Sequence, residues 1–189
     1  MVKWRGTLED LVKKFWDKKK VFITGHTGFK GSWLCLALNE LGAEITGYSL
    51  EPPTNPSLFS LLNLSERMHD YRGDIRDIER LDSALNDSQP EIVFHLAAQP
   101  IVLYSYKNPV ETYEVNFNGT LNLLEAIRHS QTVKSAVLVT TDKCYENTGK
   151  KEGYVEEDSM GGYDPYSSSK GAAEILISSY RRSFFSNKS

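Results

Sequence analysis

Lys20–Gly31 reads KVFITGHTGFKG, and the order of its parts decides the fold. KVFIT is short, apolar and rich in β-branched and aromatic residues, as a buried strand is. Three glycines follow it in the pattern G-x-x-G-x-x-G, at Gly25, Gly28 and Gly31. Glycine permits a tight turn and lets the backbone approach an anion closely. A helix starting at Gly28 would present free N–H groups and the positive end of its dipole to that anion. The spacing differs from the G-x-G-x-x-G fingerprint, and a structural turn can carry the same glycines. Its position between a first strand and a helix favours dinucleotide binding, with Gly25, Thr27, Gly28, Phe29, Lys30 and Gly31 as the phosphate turn.

Outward from this turn, strand and helix patterns alternate. Gly28–Leu41 is expected to be a helix with Trp33, Leu34, Ala37, Leu38 and Leu41 on its inner face, stopped at Gly42. Further strands are expected at Glu44–Ser49, His69–Arg72, Glu91–Leu96 and Ser135–Thr141. Between them lie a Pro-rich loop at 51–56, a Leu-rich segment at 57–64 and helices at 78–85 and 109–129. A polar loop over 143–163 leads into a last helix at 164–185, capped by Asp164 with Pro165 in its first turn. This alternation predicts an α/β doubly wound parallel sheet of order 3-2-1-4-5. The runs VFIT, IVF and AVLV fit strands covered on both faces. The chain stops before a sixth strand, so strand five is expected to be a bare edge. A fragment, a split gene product or a chain needing a partner is expected.

The chain has 189 residues and a net charge of −3, so no global basic field points to nucleic acid. Residues 1–19 resemble an amphipathic lead-in helix, with lysines at 13, 14 and 18–20 read as a solvated face. Residues 20–189 form the expected dinucleotide-binding domain. Cys35 and Cys144 have no metal-ligand spacing, and no metal is expected. No signal peptide or membrane span is read, so a reduced cytoplasmic setting is the default.

The strand ends carry the remaining candidates. An acidic residue that reads the adenosine ribose belongs near the end of strand two, where Ser49 stands instead. Ser49 can bond a 2′-hydroxyl but does not repel a 2′-phosphate, and Lys30 could favour that phosphate, so NAD and NADP both stay open. Asp74 could accept from an adenine amino group with Ile75 against the ring; a turn and helix cap at Asp74 and Asp77 is an equal alternative. After strand four, Leu96, Ala97 and Ala98 leave room for ribose and nicotinamide, while His95 reads as structural. Tyr166-Ser167-Ser168-Ser169-Lys170 places phenol and ammonium on one helix face. A nearby positive charge makes phenolate accessible, and phenolate can take an alcohol proton as hydride leaves the same carbon. Tyr and Lys four apart are common by chance; their order after the glycine turn and strand five makes the combination informative. Thr140-Thr141-Asp142-Lys143 at the end of strand five suggests proton transfers beyond dehydrogenation, or a turn with a local ion pair. Cys144 reads as a packing residue.

GHTGFKG, HLAAQ, VNFNGT (115–120), TTDKCY and YSSSK together resemble the extended short-chain dehydrogenase/reductases, a Rossmann-like family. TTDKCYEN and GGYDPYSSSKGAAE, with PPTNPSLF, resemble the CDP-glucose 4,6-dehydratases over about residues 12–186. The resemblance implies that CDP-glucose loses water to give CDP-4-dehydro-6-deoxyglucose, with NAD, or NADP, regenerated in each turnover, serving surface polysaccharide biosynthesis. It implies Tyr166 as the base on the 4-hydroxyl with Lys170 beside it. Lys143 would take the C5 proton, Asp142 would protonate the departing 6-hydroxyl, and Thr141 would bond the 4-oxygen. A lysine base needs burial or neighbouring Lys170 to be neutral part of the time. Asn116 and Thr140 join the cofactor contacts, Asn116 bracing the catalytic helix, and Gln99 and Thr141 contact substrate. Helices 109–129 and 164–185 would form a homodimer. The family continues into a C-terminal substrate domain. A nucleotide-sugar epimerase or reductase, and a cofactor-binding remnant without turnover, are the competing readings; paired Asp142 and Lys143 argue against epimerisation alone.

Overall fold

A computed structural model describes residues 7–185. Five parallel strands form one sheet in the order β3-β2-β1-β4-β5. They are β1 Lys20–Thr24, β2 Glu44–Ser49, β3 His69–Arg72, β4 Ile92–His95 and β5 Ser135–Leu138. Strand alternation sends successive side chains to opposite faces. Phe22 therefore joins Tyr48, Leu81, Leu85, Val93 and Leu123 in one core layer. Its neighbours Val21 and Ile23 join Cys35, Leu38, Ile45, Phe59 and Leu64 in the other. Each such side chain contributes roughly 1.5–3 kcal/mol by leaving water.

The helices are α1 Leu8–Trp16, α2 Phe29–Glu40, α3 Leu58–Leu61 and α4 Ile78–Ser88. They continue as α5 Val102–Lys107, α6 Pro109–Tyr113, α7 Gly119–His129 and α8 Pro165–Tyr180. Local signals start α4 and α8 and end α2 as expected. Asp77 accepts from Arg80 N at 3.1 Å and Asp164 from Ser167 N at 3.0 Å, each satisfying an orphan donor of the first turn. Gly42 ends the α2 segment at φ +90°, a conformation that favours glycine.

Four expectations are corrected. The inner face of α2 is Gly31, Ser32, Cys35 and Leu38, whereas Trp33 is 51% exposed and Ala37 is also exposed. A Cβ on Gly31 would stand 2.2 Å from Gly25 O, so the close approach of helix to turn selects the smallest residues for the inward side. Segment 109–129 is α6, a π-helical turn over Glu114–Asn118 and α7, rather than one regular helix. The AVLV run is not covered on both faces: Ala136 and Val137 are exposed on β5, the edge strand, which ends at Leu138 rather than at residue 141. The lead-in helix spans Leu8–Trp16, and Leu8, Leu11, Val12 and Phe15, at helical spacing along it, are exposed. Its expected first six residues lie outside the described ones. Helix α5 had no strong sequence signal. The last helix runs to Tyr180 and continues as a π-helical turn over Arg181–Phe185.

Candidate functional site

The carboxyl ends of the strands surround a cleft of about 530 Å³, within the range of small-molecule and cofactor sites. Its floor is the glycine turn. Gly25 has φ +76°, and a Cβ there would sit 2.6 Å from Ala97 N, so strand four's end and the turn meet backbone to backbone. Ser32 reinforces the turn by donating to Gly28 O at 2.8 Å. The whole expected phosphate turn, Gly25, Thr27, Gly28, Phe29, Lys30 and Gly31, lines this cleft. So do Ser49, Asp74, Ile75, Leu96, Ala97, Ala98, Thr140, Tyr166 and Lys170. Asn116, Gln99, Thr141, Asp142 and Lys143 are not on its wall. A smaller cleft of about 190 Å³ at the opposite, amino ends of β1, β2 and β3, among Lys20, His69 and Asp87, contains none of the candidate residues.

At the end of the cleft beside β2 and β3, Asp74 is on the wall and also accepts from Arg76 Nε at 3.0 Å, so one residue serves both the turn and the wall. The Arg76 side chain holds its carboxyl below the usual range. Thr27 Oγ1 donates to Leu50 O at 3.0 Å and lies 2.9 Å from Ser49 Oγ. Leu50 and Glu51, just past β2, line the cleft with Tyr48 and Gly73. The sequence reading did not single these out, because it sought the acid at the strand's end rather than in the loop beyond it.

His95 is structural. It is buried between Thr24 Oγ1, 2.7 Å from Nδ1, and Thr120 Oγ1, 3.1 Å from Nε2. Thr120 spends its hydrogen on Asn116 O at 2.7 Å, so Nε2–H donates to Thr120 and Nδ1 accepts from Thr24. Burial keeps the ring neutral, pushing its pKa down to about 3, with Lys170 adding repulsion.

The catalytic candidates sit on two elements that pack together. Tyr166 and Lys170 share one face of α8 and line the cleft. Lys170 is buried, donates to Val139 O at 3.4 Å, and is pushed down to about 8 by burial, against the attraction of Glu174. Ser105 of α5 accepts from Tyr166 N at 3.1 Å, so the helix the sequence did not announce holds the start of α8. Thr141–Cys144 forms a tight turn against α8, where a Cβ on Gly171 would come 3.3 Å from Cys144 O. Thr141 Oγ1 donates to Asp142 at 3.1 Å. Asp142 and Lys143 are exposed, so the burial required of a lysine base is not present around Lys143. Cys144 is 3% exposed and burial raises its thiol, in keeping with packing. Gln99 uses Nε2 on Thr112 at 2.9 Å and Oε1 on Ile101 N at 2.6 Å, leaving one amide hydrogen and one lone pair for a ligand.

A family model described as GDP-mannose 4,6 dehydratase matches residues 22–187. The chain belongs to this family. Within it, CDP-glucose 4,6-dehydratase of Salmonella typhimurium is 53% identical over 92% of this chain and 48% of its own length. Among solved structures, UDP-glucose 4-epimerase of Thermus thermophilus in complex with NAD is 32% identical with a TM-score of 0.76, covering 87% of this chain and 51% of that one. UDP-glucose 4-epimerase of Thermotoga maritima with UDP-glucose is 26% identical with a TM-score of 0.78, covering 87% and 52%. The chain spans about half the length of the curated relatives it matches, and its five-stranded sheet is the Rossmann-like fold of these neighbours. No helix among the described residues is long and apolar enough to cross a membrane.

Proposed function

We propose that this chain is the dinucleotide-binding, catalytic half of a CDP-D-glucose 4,6-dehydratase, producing CDP-4-dehydro-6-deoxyglucose and water in the cytoplasm for surface polysaccharide synthesis. The observation that carries the reading is the packing of α8, whose Tyr166 and Lys170 line the cleft, against the Thr141–Cys144 turn. The 53% identity to the Salmonella dehydratase supports the substrate assignment.

The glycine turn fits a pyrophosphate: Gly25, Gly28 and Gly31 line the cleft at the start of α2, and the close backbone packing at Gly25 and Gly31, which a Cβ would break, holds that helix start there. Held by the glycine turn, NAD would supply the acceptor for hydride from sugar C4 and the source of hydride for C6. Tyr166 takes the 4-hydroxyl proton, and the Lys170 ammonium stabilises the phenolate it starts from. The ketone at C4 acidifies the C5 proton, which Lys143 removes while Asp142 protonates the departing 6-hydroxyl; Lys143 gives the proton back to C5 as hydride reaches C6. Thr141 bonds the 4-oxygen. Gln99 faces the substrate with its remaining amide hydrogen. Exposure of Lys143 means that bound substrate, or the rest of the protein, supplies its desolvation.

Exposed apolar residues on the two helical segments support a homodimer through 109–129 and 164–185: Val110 is 70% exposed, Ile175 62% and Phe184 50%. The test of the reading is mass spectrometry of CDP-glucose incubated with the enzyme and NAD. Loss of one water is expected, and Tyr166→Phe abolishes it while NADH binding persists. Recovery of CDP-galactose instead would favour epimerisation.

A further inference from the structure

Helix α8 carries an acid one turn beyond its buried lysine. Tyr166, Lys170 and Glu174 stand four residues apart in succession, so they form one stripe along the helix. The first two line the cleft, and Glu174 is half-buried behind them, off its wall. The chain just past β5 meets this stripe rung by rung. Lys170 Nζ donates to Val139 O at 3.4 Å, and the next residue, Thr140, donates its hydroxyl hydrogen to Glu174 Oε1. Two consecutive residues at the end of β5 thus hold two consecutive turns of α8. A threonine hydroxyl has one hydrogen to give, and here it fixes the carboxylate rather than a ligand.

The surroundings give this carboxylate a task. Lys170 is buried, which disfavours its charge. From β4 it is faced by the His95 ring, kept neutral by burial. From the Thr141–Cys144 turn it is faced by Cys144, a buried thiol whose ionisation Glu174 opposes further; Asp142 and Lys143 are exposed. The other elements on α8 bring their titratable groups elsewhere: Tyr113 meets Ser168, Glu125 meets Tyr180, and Glu114 pairs with Arg76. The π-helical turn offers uncharged Asn116 to Ser169, and α5 offers Ser105 to Tyr166 N. Among the described residues, Glu174 is the carboxylate that acts to keep Lys170 protonated against its burial. Without it, the ammonium would lose its charge at lower pH, and a Tyr166 phenolate would lose its counter-charge.

We propose that Glu174, anchored by Thr140, is a positioning residue that keeps the Lys170 ammonium charged and in place beside Tyr166. This rests on the Tyr166–Lys170 reading of the cleft and adds the residue that sustains the pair. The test is an NMR titration of isotopically labelled lysine side chains without nucleotide or substrate, the Lys170 Cε signal being assigned by its loss in Lys170→Met. Wild-type Lys170 is expected to titrate at about pH 8. Glu174→Gln still accepts from Thr140 but has no charge, and its midpoint falls by roughly tenfold in proton affinity. Glu174→Asp keeps the charge and titrates closer to wild type than Glu174→Gln does. In the active enzyme the same loss moves the alkaline limb of the kcat profile to lower pH, which a purely structural lesion would not do. An unchanged or raised midpoint in Glu174→Gln overturns the proposal. So does a Glu174→Gln protein that no longer folds, because the carboxylate would then be a structural anchor. A lowered midpoint in a protein that does not dehydrate CDP-glucose supports the proposal and removes the substrate reading instead.

Discussion

Asn116 donates from Nδ2 to Ser169 Oγ at 2.9 Å, and its Oδ1 accepts from Gln99 N at 2.8 Å. Nδ2 also reaches Gln99 O at 3.1 Å, and Ser169 passes its own hydrogen to Tyr166 O at 2.7 Å. A fully buried carboxamide in a π-helical turn thus joins the loop after β4 to the first turn of α8, next to the catalytic pair. Removing it strands buried partners. Asn116→Ala is expected to cost about 2–4 kcal/mol in urea unfolding and to lower turnover by misplacing Tyr166. A loss within ~0.5 kcal/mol would mean that the junction does not depend on this bond set.

Acid should unfold the protein partly through His95. Its folded pKa of about 3 lies below the ordinary 6.5, so between those values the unfolded chain holds a proton that the fold does not. Stability from this group is complete above pH 6.5 and falls by about 1.4 kcal/mol per unit as pH drops towards 3. Burial lowers His26 too and adds loss in the same direction. Urea midpoints measured from pH 7.5 to 5 in wild type and His95→Gln check this. The variant's profile should be flatter, and parallel profiles would show that His95 is not the group involved.

Lys170 is a charge held at a cost to stability. Burial pushes it from 10.5 down to about 8, so its charged form is disfavoured in the fold. Lys170→Met is expected to raise stability at pH 7 by about 1–3 kcal/mol while eliminating turnover. The gain should shrink between pH 8 and 10.5, because there the wild-type fold releases its proton before the unfolded chain does. A destabilised Lys170→Met protein would indicate that the lysine's contact with Val139 O outweighs its desolvation.

Gly31→Ala places a methyl 2.2 Å from Gly25 O and 2.7 Å from His26 Cα. Backbone must move to admit it, at a cost of about 1–3 kcal/mol, and the phosphate turn moves with it. Isothermal titration with NADH should show binding lost or weakened more than tenfold in a still-folded variant. Unchanged affinity would separate the glycine turn from the ligand.

Sheet order, the glycine turn and the Tyr166–Lys170 face were legible in the sequence because each is a local pattern: a strand period, a spacing after a strand, an i,i+4 pair. The inner face of α2 was not, since apolar periodicity chose Trp33 and Ala37, whereas the tight approach at Gly31 rotated Cys35 and Ser32 inward. Lys143 was expected to gain a neutral form from burial or from neighbouring Lys170, and its exposure removes the first of these, because a residue type at a strand end does not determine its surroundings.

The central claim is that hydride leaves C4 of a CDP-hexose and returns to C6 of the same molecule while Tyr166 and the Asp142–Lys143 pair move the protons. CDP-glucose deuterated at C4 tests it most directly, with the product read by NMR and mass spectrometry. The account predicts CDP-4-dehydro-6-deoxyglucose that has lost water and carries deuterium on its C6 methyl group. Product with deuterium back on C4 of an epimer, or a dehydrated product with an undeuterated methyl, would contradict it.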